Sequence, residues 1–161
     1  MSKSLNRTLK KRQINGLIFK NIMLVNKENI LKYIPQRAPF VMIDALLDAN
    51  ETSFESSFLI EEDNLFLANK CLSESALIEN IAQTCAAGFG YVATQNGEDA
   101  GGMGFIGAIS KLEVFATAEA GNLIQTSIKV LSSFGTIHLI EGIARCNETD
   151  LLTCQLKIVL A

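Results

Sequence analysis

An α+β fold, one long buried helix wrapped by a curved antiparallel sheet, is predicted by three features of the sequence. A proline-free segment over residues 73 to about 94 is apolar almost all round at helical spacing, the mark of an enclosed helix. Strand-like runs punctuated by turn residues fill the chain after that segment, and two more precede it. The chain has 161 residues, 48% apolar and 19% charged, which is enough for one domain with a substantial core and too little for two. Strands on both sides of a single long helix, most of them consecutive, favour antiparallel pairing over a parallel βαβ arrangement.

Each element has its own signal. Residues 26–34 read as a short amphipathic helix stopped by Pro35, since the residue before a proline is pushed out of helical geometry. A turn over 35–39 follows, then a strand pair, 40–47 and 53–60, joined across 48–51. Glu61, Glu62 and Asp63 open a loop. In the long helix Ser73 stands at the N-cap and Glu74 suits the positive end of the dipole. Leu77, Ile81, Cys85 and Phe89 form one apolar stripe, Ile78, Ala82 and Val92 widen it, and Ala86, Ala87, Gly88 and Gly90 keep the remaining circumference small. Beyond the glycine-bearing loop 96–102, strands are expected over 103–110 with 112–115, 122–132, 136–146 and 151–160, separated at Gly121, Gly135 and 147–150.

Charge and composition narrow the function. Residues 1–22 hold six of the 14 basic residues and no acid, so this basic extension is expected to be disordered and the folded domain to begin at Met23. The remainder carries eight Lys and Arg against all 17 acids, a balance that speaks against nucleic-acid binding. No apolar run approaches the ~20 residues of a membrane span, and 14–25 is interrupted by Asn15, Lys20 and Asn21, unlike a secretory signal. A cytoplasmic location is expected. Cys71, Cys85, Cys146 and Cys154 are scattered without a CxxC pair and read as core thiols rather than disulfides or metal ligands. His138 is the only histidine, which excludes chemistry needing two imidazoles from one chain; there is also no phosphate loop, HExxH or GxSxG. As a lone strand histidine, His138 is expected to be structural.

The long helix offers one candidate for chemistry. Glu79 lies one to two turns in, amid Leu77, Ile78, Asn80 and Ile81, with Gln83 at i+4. If the sheet encloses the helix, an ionised carboxylate there needs hydrogen bonds or a cavity beside it, and burial would move it toward a working acid or base. The alternative is that Glu79, Asn80 and Gln83 mark an edge facing water or another subunit. The residues alone leave the two readings open.

Four segments in order resemble the 3-hydroxyacyl-[acyl carrier protein] dehydratases. Residues 34–44, Ile-Pro-Gln-Arg-Ala-Pro-Phe-Val-Met-Ile-Asp, are similar to the family's Leu-Pro-His-Arg-x-Pro-Phe-Leu-Leu-Val-Asp opening, with Gln36 in place of histidine. Glu79-Asn80-Ile81-Ala82-Gln83 resembles its Glu-Ala-Leu-Ala-Gln helix motif. Phe105-Ile106-Gly107-Ala108-Ile109 with Ala120-Gly121-Asn122 resembles its Phe-x-Gly-Ile strand and Pro-Gly-Asp turn, and Glu141-Gly142-Ile143-Ala144 its Glu-Gly-x-Ala strand. The likeness runs from about residue 28 to 161. It is closest to a side branch associated with aryl-polyene or flexirubin-type pigment assembly, whose Gly-Ile-Glu-x-Met-Ala-Gln helix and Gly-Phe-Leu strand compare with 77–83 and 104–106.

The resemblance implies a hotdog fold, paired subunits and an active site at their interface. There a helix carboxylate of one subunit faces a histidine of the other beside a tunnel for an acyl chain on its phosphopantetheine arm. It makes Glu79 the catalytic residue and Gln83, Phe66, Asn69, Phe105 and Gly107 the substrate-binding candidates, with Gln83 orienting Glu79 and backbone donors around Gly107 polarising the thioester carbonyl. The family's His-Phe-Pro-Gly loop falls on Leu65-Phe66-Leu67-Ala68, so its histidine is missing, as is also usual in the side branch. The implied activity is dehydratase-like, on 3-hydroxyacyl thioesters of acyl carrier protein, with no metal and no cofactor beyond the carrier's phosphopantetheine. A thioesterase, or a non-catalytic partner of a histidine-bearing paralogue, is the alternative. Expected partners are acyl carrier protein, with Arg37, Lys70 and Lys111 as docking cations, and a second hotdog subunit, in a homo-oligomer or with a paralogue.

Overall fold

A computed structural model describes residues 23–100 and 102–161; the basic extension and Gly101 lie outside the described residues. The chain opens with a 3₁₀ turn, Ile30–Lys32, followed by strands β1 (Ala45–Ala49) and β2 (Ser53–Leu59). A small hairpin, β3 (Leu67–Ala68) and β4 (Cys71–Leu72), precedes helix α1 (Glu74–Gln95). Four long strands complete it: β5 (Gly104–Val114), β6 (Leu123–Phe134), β7 (Ile137–Cys146) and β8 (Thr149–Leu160). Six strands form one antiparallel sheet in the order β1-β2-β6-β7-β8-β5.

The sheet curls around α1, which is the predicted α+β hotdog architecture. On its concave face one register row runs Phe54, Ile128, Gly142 and Cys154 across β2, β6, β7 and β8. The helix meets this row closely because glycine stands on each partner. A Cβ at Gly142 would lie 2.4 Å from Ile81 Cγ2, and one at Gly88 would lie 2.1 Å from the Phe54 ring. Leu77, Ile81 and Cys85 are fully enclosed, as their stripe requires, while Phe89 is half-buried and packs edge-on against Phe54 at 4.9 Å. Ser73 takes the N-cap position in extended geometry, but its hydroxyl pairs with Ser75 Oγ at 2.9 Å instead of capping a backbone N–H.

Two expected elements are shorter than their patterns. The helix expected over 26–34 contracts to its last turn, because Asn26 Oδ1 accepts from the Asn29 backbone N–H and side-chain amide, and Lys27 is drawn to Asp44 and Glu61 at 3.1 and 3.3 Å. Such local side-chain bonds compete with helical ones. The strand expected over 40–47 begins only at Ala45, since the backbone before it is paired with helix side chains instead of a strand. Asn80 Nδ2 donates to Met42 O at 2.6 Å, Gln83 Oε1 accepts from Met42 N at 2.7 Å, and Gln83 Nε2 donates to Phe40 O at 2.8 Å.

Asn80 and Gln83 are thus completely buried and bonded. Asn80 Oδ1 also accepts from Thr126 Oγ1 on β6, so one amide ties the 40–42 segment, the helix and the sheet. Replacing Asn80 by leucine leaves Met42 O and Thr126 Oγ1 without their partners, each worth ~1–3 kcal/mol. Asn80→Leu is therefore expected to lose ~2 kcal/mol or more in urea unfolding, and a loss below ~0.5 kcal/mol would contradict the clamp.

Candidate active site

The polar part of α1 is built around Glu79. Its Oε1 accepts from Gln83 Nε2 at 2.8 Å and from Gln36 Nε2 at 3.3 Å. Gln83 is immobilised by its bonds to Phe40 and Met42, so the orientation of Glu79 is inherited from the clamp that holds the 40–42 segment. With Oε1 occupied by two donors, Oε2 has no hydrogen bond among the described residues and is the oxygen available for proton transfer.

Glu79 borders a cleft of about 220 Å³. Pro35 and Gln36 form one wall, Glu79, Ala82 and Ala86 line the helix side, and Gly104, Phe105, Ile106 and Ile158 close the sheet side. Seven residues of helix separate Glu79 from Ala86, ~10 Å at helical rise, and their small side chains keep that face open. The cleft is apolar apart from Glu79 and Gln36, which suits an acyl chain presented to one carboxylate. Gln36 Oε1 is shut off from solvent and receives no hydrogen bond among the described residues, an arrangement that costs ~1–3 kcal/mol.

Of the residues singled out from sequence, Glu79 and Phe105 lie on the cleft, and Gln83 stands directly behind Glu79. Phe66 packs edge-on against Phe40 at 6.5 Å, in the loop before β3. Asn69 is exposed in the β3–β4 turn, where it and Lys70 take positive φ of 51° and 67°; asparagine is well suited to such a hairpin turn. Gly107 sits at a register shift in β5 and faces Val159 and Lys157. Within one chain Phe66, Asn69 and Gly107 are not part of the cleft lining. Arg37 is exposed and donates to the carbonyls of Ile34 and Gln36, bracing the loop that carries Gln36. Lys70 and Lys111 are exposed.

Pro35, Gln36, Ala82, Ala86, Gly104, Ile106 and Ile158 were not anticipated as cleft residues. The spacing of Ala82 and Ala86 from Glu79, three and seven positions on one helix face, was a usable signal for a groove.

His138 lies elsewhere. It packs on Phe89 at 4.3 Å between centroids, its Nδ1 pairs with Ser133 Oγ at 2.8 Å, and it is not on the cleft. Burial lowers its pKa from the ordinary 6.5. Burial also pushes the Cys85 thiol up to about 12 and Cys154 to about 11, so neither is a nucleophile at neutral pH.

The convex side and free edge of the sheet are unusual in one respect. β5 is the terminal strand, its outer edge has no partner among the described residues, and Phe105, Ile106, Ile109, Leu112 and Val114 are all exposed. A long apolar edge strand left open invites pairing with another chain. No helix among the described residues is long and apolar enough to cross a membrane.

A long helix enclosed by a curled antiparallel sheet, with a carboxylate at the mouth of a cleft beside it, defines a hotdog-fold protein. Residues 28–159 match the family model described as ApeP dehydratase, and the chain belongs to this ApeP-like family. No curated protein matches the sequence. Among solved structures, the dehydratase heterocomplex ApeI:P from Xenorhabdus doucetiae is similar, with a TM-score of 0.76 and 18% identity over 82% of this chain and 90% of that one. An HP0420 homologue from Helicobacter felis follows at TM-score 0.61, 11% identity, 84% and 89% covered. The PaaI protein of the E. coli phenylacetic acid degradation operon gives 0.56, 8%, 71% and 80%.

The lowered His138 pKa has a sign. Folding disfavours the imidazolium, so just below pH 6.5 the unfolded chain binds more protons than the folded one, and stability rises with pH across that window. Measured between about pH 5 and 8, the stability of the native protein relative to His138→Gln should decrease as pH falls through 6.5. A difference independent of pH would remove the assigned cause.

Proposed function

We propose that the protein is the carboxylate-bearing subunit of a dehydratase that converts 3-hydroxyacyl thioesters of acyl carrier protein to 2-enoyl thioesters and water. The observation that carries this reading is the placement of Glu79, which borders the cleft and whose Oε1 is fixed by two amides while Oε2 has no hydrogen bond among the described residues. In the elimination the C2–H and C3–O bonds break and the C2–C3 double bond forms. A base takes the C2 proton, an acid delivers a proton to the departing hydroxyl, and donors stabilise the thioester oxygen as charge grows on it. Glu79 supplies one of the two proton transfers. N–H groups around Gly107, at the register shift of β5, are the natural donors for the oxygen.

The second proton-transfer group comes from another chain. The loop where the dehydratases carry histidine is Leu65-Phe66-Leu67-Ala68, and His138 is committed to Phe89 and Ser133. A histidine-bearing hotdog subunit, paired along β5, would complete the site. The similarity to a dehydratase heterocomplex supports this arrangement over a self-sufficient homodimer. The cleft is bordered by Gly104, Phe105 and Ile106 of the same edge strand, so pairing there would roof it.

The reading is tested with purified protein, alone and with a histidine-bearing hotdog subunit from the same source, on a 3-hydroxyacyl thioester of acyl carrier protein. Enoyl product is expected from the pair, with a fall of ~10²-fold or more for Glu79→Gln. Release of free thiol without enoyl product would identify a thioesterase instead, and an unchanged rate in Glu79→Gln would discard the carboxylate's role. Separately, Ile109→Lys places a charge on the exposed face of β5. It should shift the assembly from dimer to monomer in sedimentation, and an unchanged mass would exclude β5 as the interface.

A further inference from the structure

Gln36 enters the site without an assigned role. Its amide has one end bound and one end unmatched: Nε2 donates to Glu79 Oε1 at 3.3 Å, while Oε1 is buried and accepts nothing among the described residues. The orientation is fixed by chemistry, because turning the amide over would set its oxygen against the carboxylate oxygen that already accepts from Gln83. The side chain also forms part of the cleft wall opposite Ala82 and Ala86. A long bond at one end and an unmatched acceptor at the other leave this amide the least firmly held polar group around Glu79. Gln83, by contrast, has both ends engaged by the 40–42 backbone.

We infer that Gln36 Oε1 is the acceptor for the 3-hydroxyl of the substrate. The inference rests on the dehydratase reading above and names the feature of the substrate that the site recognises. A small rotation of the amide toward the cleft lets the hydroxyl O–H donate to Gln36 Oε1. The hydroxyl oxygen's lone pairs are then left to accept from Glu79 Oε2 when that oxygen carries the proton destined for the leaving hydroxyl. A 3-oxo group at that place has no proton to donate and sets its oxygen against Gln36 Oε1. A 3-deoxy acyl chain would leave Oε1 as unmatched as before. The pair Gln36 and Glu79 therefore selects 3-hydroxyacyl groups from chains at other oxidation states, with Gln36 providing the discrimination and Glu79 the proton transfer. Sites built to bind a hydroxyl discriminate strongly against analogues lacking it.

The test uses inert pantetheine amides, with an amide in place of the thioester, bearing 3-hydroxy, 3-oxo and 3-deoxy chains of equal length. Their dissociation constants are measured with the full chain paired with its histidine-bearing subunit, for native protein and for Gln36→Met and Gln36→Leu. Native protein should favour the 3-hydroxy over the 3-deoxy compound by ~10-fold or more. Both variants should bring that ratio to about 1 while binding the 3-deoxy compound within ~3-fold of native, which also shows that the cleft is intact. A native-like ratio in either variant, with the cleft intact by that measure, overturns the assignment to Gln36. If both variants lose the 3-deoxy compound, Gln36 is a structural wall and the assignment falls. Native protein that binds the three compounds equally overturns the inference and leaves the acyl site standing. Failure to bind any of them overturns the dehydratase reading as well.

Discussion

The structure turns on two buried side-chain amides of α1, Asn80 and Gln83, that hydrogen-bond the backbone of residues 40–42. A segment of irregular backbone pressed against a buried helix must find partners for its N–H and C=O groups or pay heavily for their desolvation. Here the helix supplies them: Asn80 to Met42 O, and Gln83 to Met42 N and Phe40 O. Thr84 and Ser56 extend the same polar seam, with Thr84 Oγ1 donating to Asn80 O at 2.7 Å and pairing with Ser56 Oγ at 2.7 Å. The seam crosses an otherwise apolar core, and among its side chains every polar atom has a partner. That condition makes a buried network specify one register of helix on sheet instead of several.

The same seam positions the chemistry. Gln83 holds the 40–42 segment with two of its bonds and Glu79 with the third, so the carboxylate cannot shift without disturbing the fold's own stitching. This is how a half-exposed glutamate on a helix can be kept within the tolerance that proton transfer demands. It also explains why the helix is apolar around its circumference except along one short arc. That arc performs two tasks at once, closing the backbone accounts of a neighbouring segment and fixing a carboxylate beside the cleft.

Much of this was legible in the sequence. The enclosed helix followed from apolar and small residues on every face, and the break expected between 110 and 112 is a register shift inside a continuous β5, where Lys111 takes a positive φ of 47°. What could not be read was the fate of residues 40–44. Their apolar run has the pattern of a strand, and only the amides of Asn80 and Gln83, 38 and 41 residues distant from Met42, divert the backbone from one. The β3–β4 hairpin was missed for a different reason: two-residue strands carry no periodicity, and the Asn69-Lys70 turn that defines them looks like any polar pair. In the candidate site, the pairing of Glu79 with Gln83 was legible because an acid and an amide at i and i+4 share a helix face. Gln36 was visible only as a departure from a family histidine, since its proximity to Glu79 is created by the clamp and not by sequence spacing.

On the proposed reading, the cleft's location accounts for a chain that supplies only one of the two proton-transfer groups. Its sheet wall is the terminal strand β5, whose outer edge is open and whose apolar residues face outward on both sides. A site bordered by such an edge can receive groups from whatever chain pairs there, so the chain itself need not carry every catalytic residue. Leu65 stands where the dehydratases place their histidine, and it is 56% exposed, an odd position for leucine in a finished monomer. An exposed leucine at that place costs little if another subunit covers it. Selection on such a chain would then preserve the carboxylate, its amide supports and the pairing edge, while the imidazole is maintained in the partner. On the proposed reading proton transfer is conditional on assembly, because among the described residues lining the cleft Glu79 has no second proton-transfer group beside it.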